Sequence, residues 1–127
     1  MALDYGSART GVAVSDPTGT LARPLGVVER AGAEKGLAEL VRLVREEEVE
    51  RVVVGLPLTL RGTRGEQAAE TETFVETLRG ALDVPVELFD ERFTTDLAQQ
   101  TAGVAPEDAL AAAHLLSTYL EWCAARS

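Results

Sequence analysis

Cysteine, histidine and lysine each occur once in this 127-residue chain, as Cys123, His114 and Lys35. A single cysteine closes no internal disulfide and completes no cysteine-based zinc site. A single histidine inside an apolar helix reads as packing, not as a ligand or base. Long apolar runs are missing too. The longest, Ala109–Ala113, falls far short of the ~20 residues that span a bilayer. Asp4 and Arg9 interrupt the N-terminus, so no signal peptide is visible. No repeat, linker or low-complexity tract appears. The expectation is one cytoplasmic domain over residues 1–127, with no membrane partner. Hydrophobic residues make up 46% and charged residues 26%, a balance that excludes disorder.

Bases are scarce as well. Acids outnumber them 21 to 12, for a net charge of −9. That opposes nucleic-acid binding, which rests largely on Lys and Arg meeting phosphates. Charge acts locally, however. Glu34, Glu39, Glu46, Glu47, Glu48, Glu66, Glu70, Glu72 and Glu76 fall in two segments with helical periodicity. Arg9, Arg23, Arg61, Arg64 and Arg92 fall in or beside expected loops. Apart from Lys35 every base is an arginine, whose planar fork suits bidentate phosphate contact.

Leu37, Leu40, Val41 and Val44 make one apolar stripe and predict a helix over Ala33–Glu48. Thr71, Phe74, Val75, Leu78 and Leu82 make another, over Glu66–Leu82. Pro106 opens a third helix to about Arg126, with Glu107 and Asp108 suited to its first turn. Strands are expected at Ala2–Tyr5, Gly11–Ser15, Leu25–Glu29, Arg51–Gly55 and Val86–Asp90. Asp16-Pro17-Thr18-Gly19 reads as a turn, and a short helix follows Thr94. Three consecutive strands favour an antiparallel meander. Two more, each reached through a helix, favour parallel additions with right-handed crossovers. The result is an α/β fold: a five-stranded mixed sheet flanked by helices, the RNase H-like topology. The pattern alone fits a generic α/β sandwich equally well.

Three acids stand where elements begin or end. Asp4 ends the first strand, Glu91 follows the fifth, and Asp108 lies in the first turn of the last helix. The small residues Ala109–Ala113 let that helix lie close to the sheet. Carboxylates from three segments could then converge. Such a cluster needs a cation, and all-oxygen ligation favours Mg²⁺ or Mn²⁺. Each acid also has an ordinary reading, as turn residue, solvated carboxylate and helix-dipole partner. Asp90 competes with Glu91, since adjacent strand residues face opposite ways. Gly6, Arg9 and Gly11 form a hairpin on which a phosphate could lie, or merely a hairpin. Arg61 and Arg64 follow the buried strand at its C-terminal end, a common ligand edge, or are simply solvated. Thr94 and Thr95 are helix caps or nucleic-acid contacts. Trp122, Tyr119 and Leu120 read as core or an interface patch.

Leu3-Asp4-Tyr5-Gly6 with Arg9 and Gly11-Val12-Ala13-Val14-Ser15-Asp16 resembles the opening motif of the YqgF/RuvX-like proteins. Val53-Val54-Gly55-Leu56-Pro57-Leu58 with Gly62-Thr63 resembles their second motif. Asp90-Glu91-Arg92-Phe93-Thr94-Thr95 resembles the third. Asp108-Ala109-Leu110-Ala111-Ala112 with Leu116, Tyr119 and Leu120 resembles the fourth. The four stand in family order over nearly the whole chain. The resemblance implies an RNase H-like nuclease that holds one or two Mg²⁺ or Mn²⁺ ions with Asp4, Glu91 and Asp108. Gly6, Arg9, Arg61, Arg64, Arg92, Thr94 and Thr95 would contact nucleic acid. The implied substrate is the 5′ end of precursor 16S rRNA, free or in ribosomal precursor particles. Branched DNA, as for a Holliday junction resolvase, is the alternative.

The chain departs from the family pattern twice. Only three residues precede Asp4, implying a short first strand or a truncated start. Asp96–Glu107 holds no base where the family commonly has a basic stretch, which implies a weaker grip on nucleic acid. A non-catalytic binding module is therefore a second reading. Asp-x-Gly hairpins also hold nucleotides in actin-like ATPases, but those need two domains, and the length opposes that. Monomer and homodimer both fit.

Overall fold

The structure is a computed structural model, and it describes residues 1–6, 8–56, 65–90 and 107–126. The strands are β1 (Ala2–Asp4), β2 (Arg9–Ser15), β3 (Ala22–Glu29), β4 (Val52–Leu56) and β5 (Val86–Asp90). The helices are α1 (Glu34–Glu46), α2 (Glu66–Ala81) and α3 (Glu107–Arg126). The sheet order is β3-β2-β1-β4-β5. β1 pairs antiparallel with β2, and β2 with β3; β4 is parallel to both β1 and β5. This is the expected meander with two parallel additions.

Several boundaries differ from expectation. The first hairpin is tighter, because β2 starts at Arg9 and β1 ends at Asp4. β3 starts at Ala22, not Leu25, because Ser15 pairs with Ala22 across the second hairpin. Arg23 therefore lies inside a strand, not a loop, and it pairs with Glu47 at 3.3 Å. That second hairpin is fixed by Asp16. Its carboxylate accepts from the Thr18 hydroxyl and from the backbone N–H groups of Thr20 and Leu21. The short helix expected after Thr94 lies outside the described residues.

Strand residues alternate between two cores. Leu3, Val12, Val14, Val28, Val52, Val54 and Val86 face α1 and α2, which contribute Leu40, Val44, Phe74, Val75 and Leu78. Ala2, Ala13, Val53 and Phe89 face α3, which contributes Ala112, Ala113, Leu115, Leu116 and Tyr119. Thr71 sits in the apolar stripe of α2 because its hydroxyl donates to the Gln67 carbonyl at 2.9 Å, satisfying its polar atom inside the helix. Of the helix glutamates behind the chain's negative charge, all but half-buried Glu72 are exposed. They ride on α1 and α2 or just past the end of α1, so the charge of these glutamates belongs to one side of the sheet. No helix among the described residues is long and apolar enough to cross a membrane.

Candidate active site

Asp4 ends β1, with Gly11 as its partner across the antiparallel pair. By alternation Asp4 shares the face of Ala2, the side covered by α3. Tyr5 turns to the opposite face and stacks on Phe74 of α2, ring centroids 4.3 Å apart and planes 22° apart. That stack holds the end of β1 to α2 and fixes which way Asp4 faces. Sequence reasoning gave Tyr5 no role. Its place two residues after apolar Leu3, on the same face of an extended chain, was the available signal.

Asp108 arrives from the other direction, in the first turn of α3. Gly11 lets it come close. A Cβ built on Gly11 would lie 1.8 Å from the Asp108 carbonyl oxygen and 3.0 Å from the Ala109 nitrogen. No side chain fits there, so the backbone of α3 rests directly on β2. Ala109 and Ala112 are fully buried beneath the same helix, as expected of its small residues. The structure thus brings Asp4 and Asp108 to either side of one glycine. Reading Gly11 as part of a phosphate-cradling hairpin missed this packing role.

Arg9 lies on the same face, two residues before Gly11. Its Nε is 3.5 Å from an Asp108 carboxylate oxygen, with both side chains substantially exposed. Such a pair is worth at most about 1 kcal/mol, so the guanidinium can leave for a better anion. Gly6 closes the hairpin. A Cβ there would meet the Arg9 carbonyl at 2.5 Å, and the Thr10 hydroxyl donates to the Gly6 carbonyl at 3.4 Å.

Parity bears on the choice between Asp90 and Glu91. Glu87 and Phe89 of β5 face α3, the first through a hydrogen bond from the Tyr119 hydroxyl. Val86 and Leu88 face α1 and α2. Asp90 therefore stands on the side away from Asp4 and Asp108. Glu91, Arg92, Thr94, Thr95, Arg61 and Arg64 lie outside the described residues. Their segments follow Leu56 and Asp90, which pair side by side at the C-terminal ends of β4 and β5. β1 runs parallel to β4, so Asp4 ends at that same edge. Among the described residues no three Asp, Glu, His or Cys side chains gather at one point.

Other features lie elsewhere. His114 is half-buried on α3. Tyr119 is core, and Trp122 is 41% exposed with its ring edge-on to Phe89. A cleft of about 820 Å³ opens at the opposite end of the sheet, between Met1, Asp16, Arg51 and Tyr119.

Comparison with known proteins decides the family. The model of the family described as "RuvX: Holliday junction resolvase" matches residues 1–122. The chain belongs to the RuvX family. A relative from Chloroflexus aurantiacus is 45% identical over 130 aligned positions, covering 95% of this chain and 85% of its own. One from Chloroflexus aggregans is 44% identical, covering 95% and 92%. One from Syntrophomonas wolfei is 38% identical over the same shares. All three carry the name "Putative pre-16S rRNA nuclease". Among solved structures, Thermus thermophilus RuvC in complex with a Holliday junction substrate matches with a TM-score of 0.59 at 19% identity. The match covers 95% of this chain and 93% of RuvC. A further structure of Thermus thermophilus RuvC matches with a TM-score of 0.59 at 18% identity, covering 95% and 94%. At that identity the likeness shows the fold, and the fold is RNase H-like.

Proposed function

We propose that this RuvX-family chain is a metal-dependent nuclease that hydrolyses phosphodiester bonds at the 5′ end of precursor 16S rRNA in the cytoplasm. The observation that supports the reading is the approach of Asp4, as strand partner, and of the Asp108 backbone to the same glycine, Gly11. Two carboxylates from distant segments, both on the side away from the acidic helices α1 and α2, form an all-oxygen donor set. That chemistry fits one or two Mg²⁺ or Mn²⁺ ions. Glu91, which follows Asp90 in the chain, is the third donor of the proposal. When bound, the ions supply Lewis-acid stabilisation of the phosphate and activate the attacking water.

The remaining work falls to the protein. Asp4 is held rigidly by strand pairing and by its neighbour's stack on Phe74, which keeps its carboxylate oriented. Asp108 is held by the seat of α3 on Gly11. Arg9, loosely paired with Asp108, turns to the phosphate next to the scissile bond. The Gly6 hairpin gives backbone close to that phosphate. Arg61, Arg64 and Arg92 follow the nucleic-acid backbone, and the Thr94 and Thr95 hydroxyls donate to it. No histidine base is needed, and half-buried His114 lies nearly two turns along α3 from Asp108.

The family description favours a second substrate, a four-way DNA junction. One experiment addresses both. The purified chain is incubated with precursor rRNA and with a four-way junction, in Mg²⁺, in Mn²⁺ and in excess chelator. The expected result is ion-dependent cleavage of the RNA. Asp4→Asn removes several kcal/mol of transition-state stabilisation, a loss of at least about 100-fold, at an unchanged melting temperature. Full activity in Asp4→Asn overturns the site. Cleavage of the junction alone overturns the RNA substrate.

A further inference from the structure

We infer that Gly11 is a positioning residue: by admitting the backbone of α3, it sets the spacing between Asp4 and Asp108 and thereby which divalent cation the pair accepts. The inference rests on the metal-site reading of Asp4 and Asp108, and adds the element that tunes it. Three observations meet at this position. Gly11 is the strand partner of Asp4. The Asp108 carbonyl fills the space where a Gly11 side chain would stand, at 1.8 Å from the Cβ position. And Arg9, on the same face of the same strand, reaches the Asp108 carboxylate. One residue without a side chain is therefore in register with one carboxylate and in contact with the backbone of the other.

The obstacle to a larger residue is backbone, which cannot rotate away. A methyl at position 11 obliges α3 to retreat by about 1 Å or more, because close-packed interiors leave no slack. Asp108 retreats with it, while Asp4 stays with its strand. Mg²⁺ demands near-ideal octahedral geometry at about 2.0–2.1 Å, whereas Ca²⁺ accepts flexible geometry at about 2.3–2.6 Å. Widening the pair thus penalises Mg²⁺ more than Ca²⁺.

Gly36 offers a matched control. A Cβ there would lie 2.1 Å from the Arg30 carbonyl oxygen, an equally severe backbone clash, but on the α1 side of the sheet. Gly11→Ala and Gly36→Ala are titrated with Mg²⁺ alone and with Ca²⁺ alone, and binding is read from the rise in melting temperature. Wild type is expected to be stabilised by both ions. Gly36→Ala melts lower without ions but keeps wild-type ion affinities. Gly11→Ala loses about 10–100-fold in Mg²⁺ affinity and distinctly less in Ca²⁺ affinity. Unchanged affinities in Gly11→Ala, or the same Mg²⁺ loss in Gly36→Ala, overturn the inference. If Gly11→Ala does not fold, Asp108→Glu decides. It moves the carboxylate by one methylene without touching Gly11, and a wild-type ion preference in it overturns the inference. A wild-type chain that responds to neither ion overturns the metal reading itself, an outcome distinct from a responsive wild type matched by Gly11→Ala.

Discussion

The Arg9 guanidinium stands 3.5 Å from the Asp108 carboxylate, on the face of the sheet where Asp4 also ends. Arg9 is thus a cation beside Asp108, on the face that Asp4 shares. The pair is exposed and weakly bound, so a phosphate diester can compete for the guanidinium.

Arg9→Ala is therefore expected to weaken RNA binding while leaving the fold intact. Each phosphate contact on a single strand adds about 0.7 to the slope of log affinity against log salt. Titrations over a range of salt, in a chelator so that no cleavage occurs, should show that slope falling by about 0.7 in Arg9→Ala. An unchanged slope means that Arg9 serves Asp108 alone.

The order of strands was legible because periodicity and turn residues are local. Val52-Val53-Val54 and the stripe Leu37-Leu40-Val41-Val44 announce their elements without any tertiary knowledge. Asp4 and Asp108 were legible as candidates by position. Their convergence was an expectation from the small residues Ala109–Ala113, but the seat of α3 was not legible, because it depends on a long-range contact at the Cβ that Gly11 lacks. The choice between Asp90 and Glu91 was undecidable for a related reason. Parity on β5 is anchored only by seeing Phe89 against α3 and Leu88 against α2. Arg23 shows the opposite failure. A charge near a turn reads as a loop residue until pairing of Ser15 with Ala22 extends the strand through it.

The far end of α3 is held by a different polar chain, and it separates stability from activity. Arg51 donates to the Tyr119 hydroxyl at 3.0 Å, and that hydroxyl donates to the Glu87 carboxylate. Burial, reinforced by the Glu87 hydrogen bond, pushes the phenol above its ordinary pKa. The sign follows: folding favours the neutral phenol, so this contribution is complete below about pH 10 and is lost as pH rises further. Tyr119→Phe is expected to cost about 1–2 kcal/mol at neutral pH and to flatten the alkaline loss of stability, both read from urea unfolding. Cleavage should persist, because Tyr119 lies about 16 Å along the helix from Asp108. Equal alkaline slopes in the two proteins sink the account.

The two neighbouring acids at the end of β5 give the sharpest test of the proposed site. Asp90 shares its face with Val86 and Leu88, against α1 and α2, whereas Asp4 and Asp108 lie on the α3 side. A carboxylate on the wrong face of a sheet cannot share an ion with them. Asp90→Asn is accordingly expected to cleave at about the wild-type rate in single-turnover assays with excess protein. Glu91→Gln, if Glu91 is the third donor, should lose at least about 100-fold. The two substitutions remove the same charge one residue apart, so net charge and general electrostatics cannot explain a difference between them. The reverse outcome, a dead Asp90→Asn beside an active Glu91→Gln, would mean that the third carboxylate reaches the site from the α2 side, and the parity argument would fall.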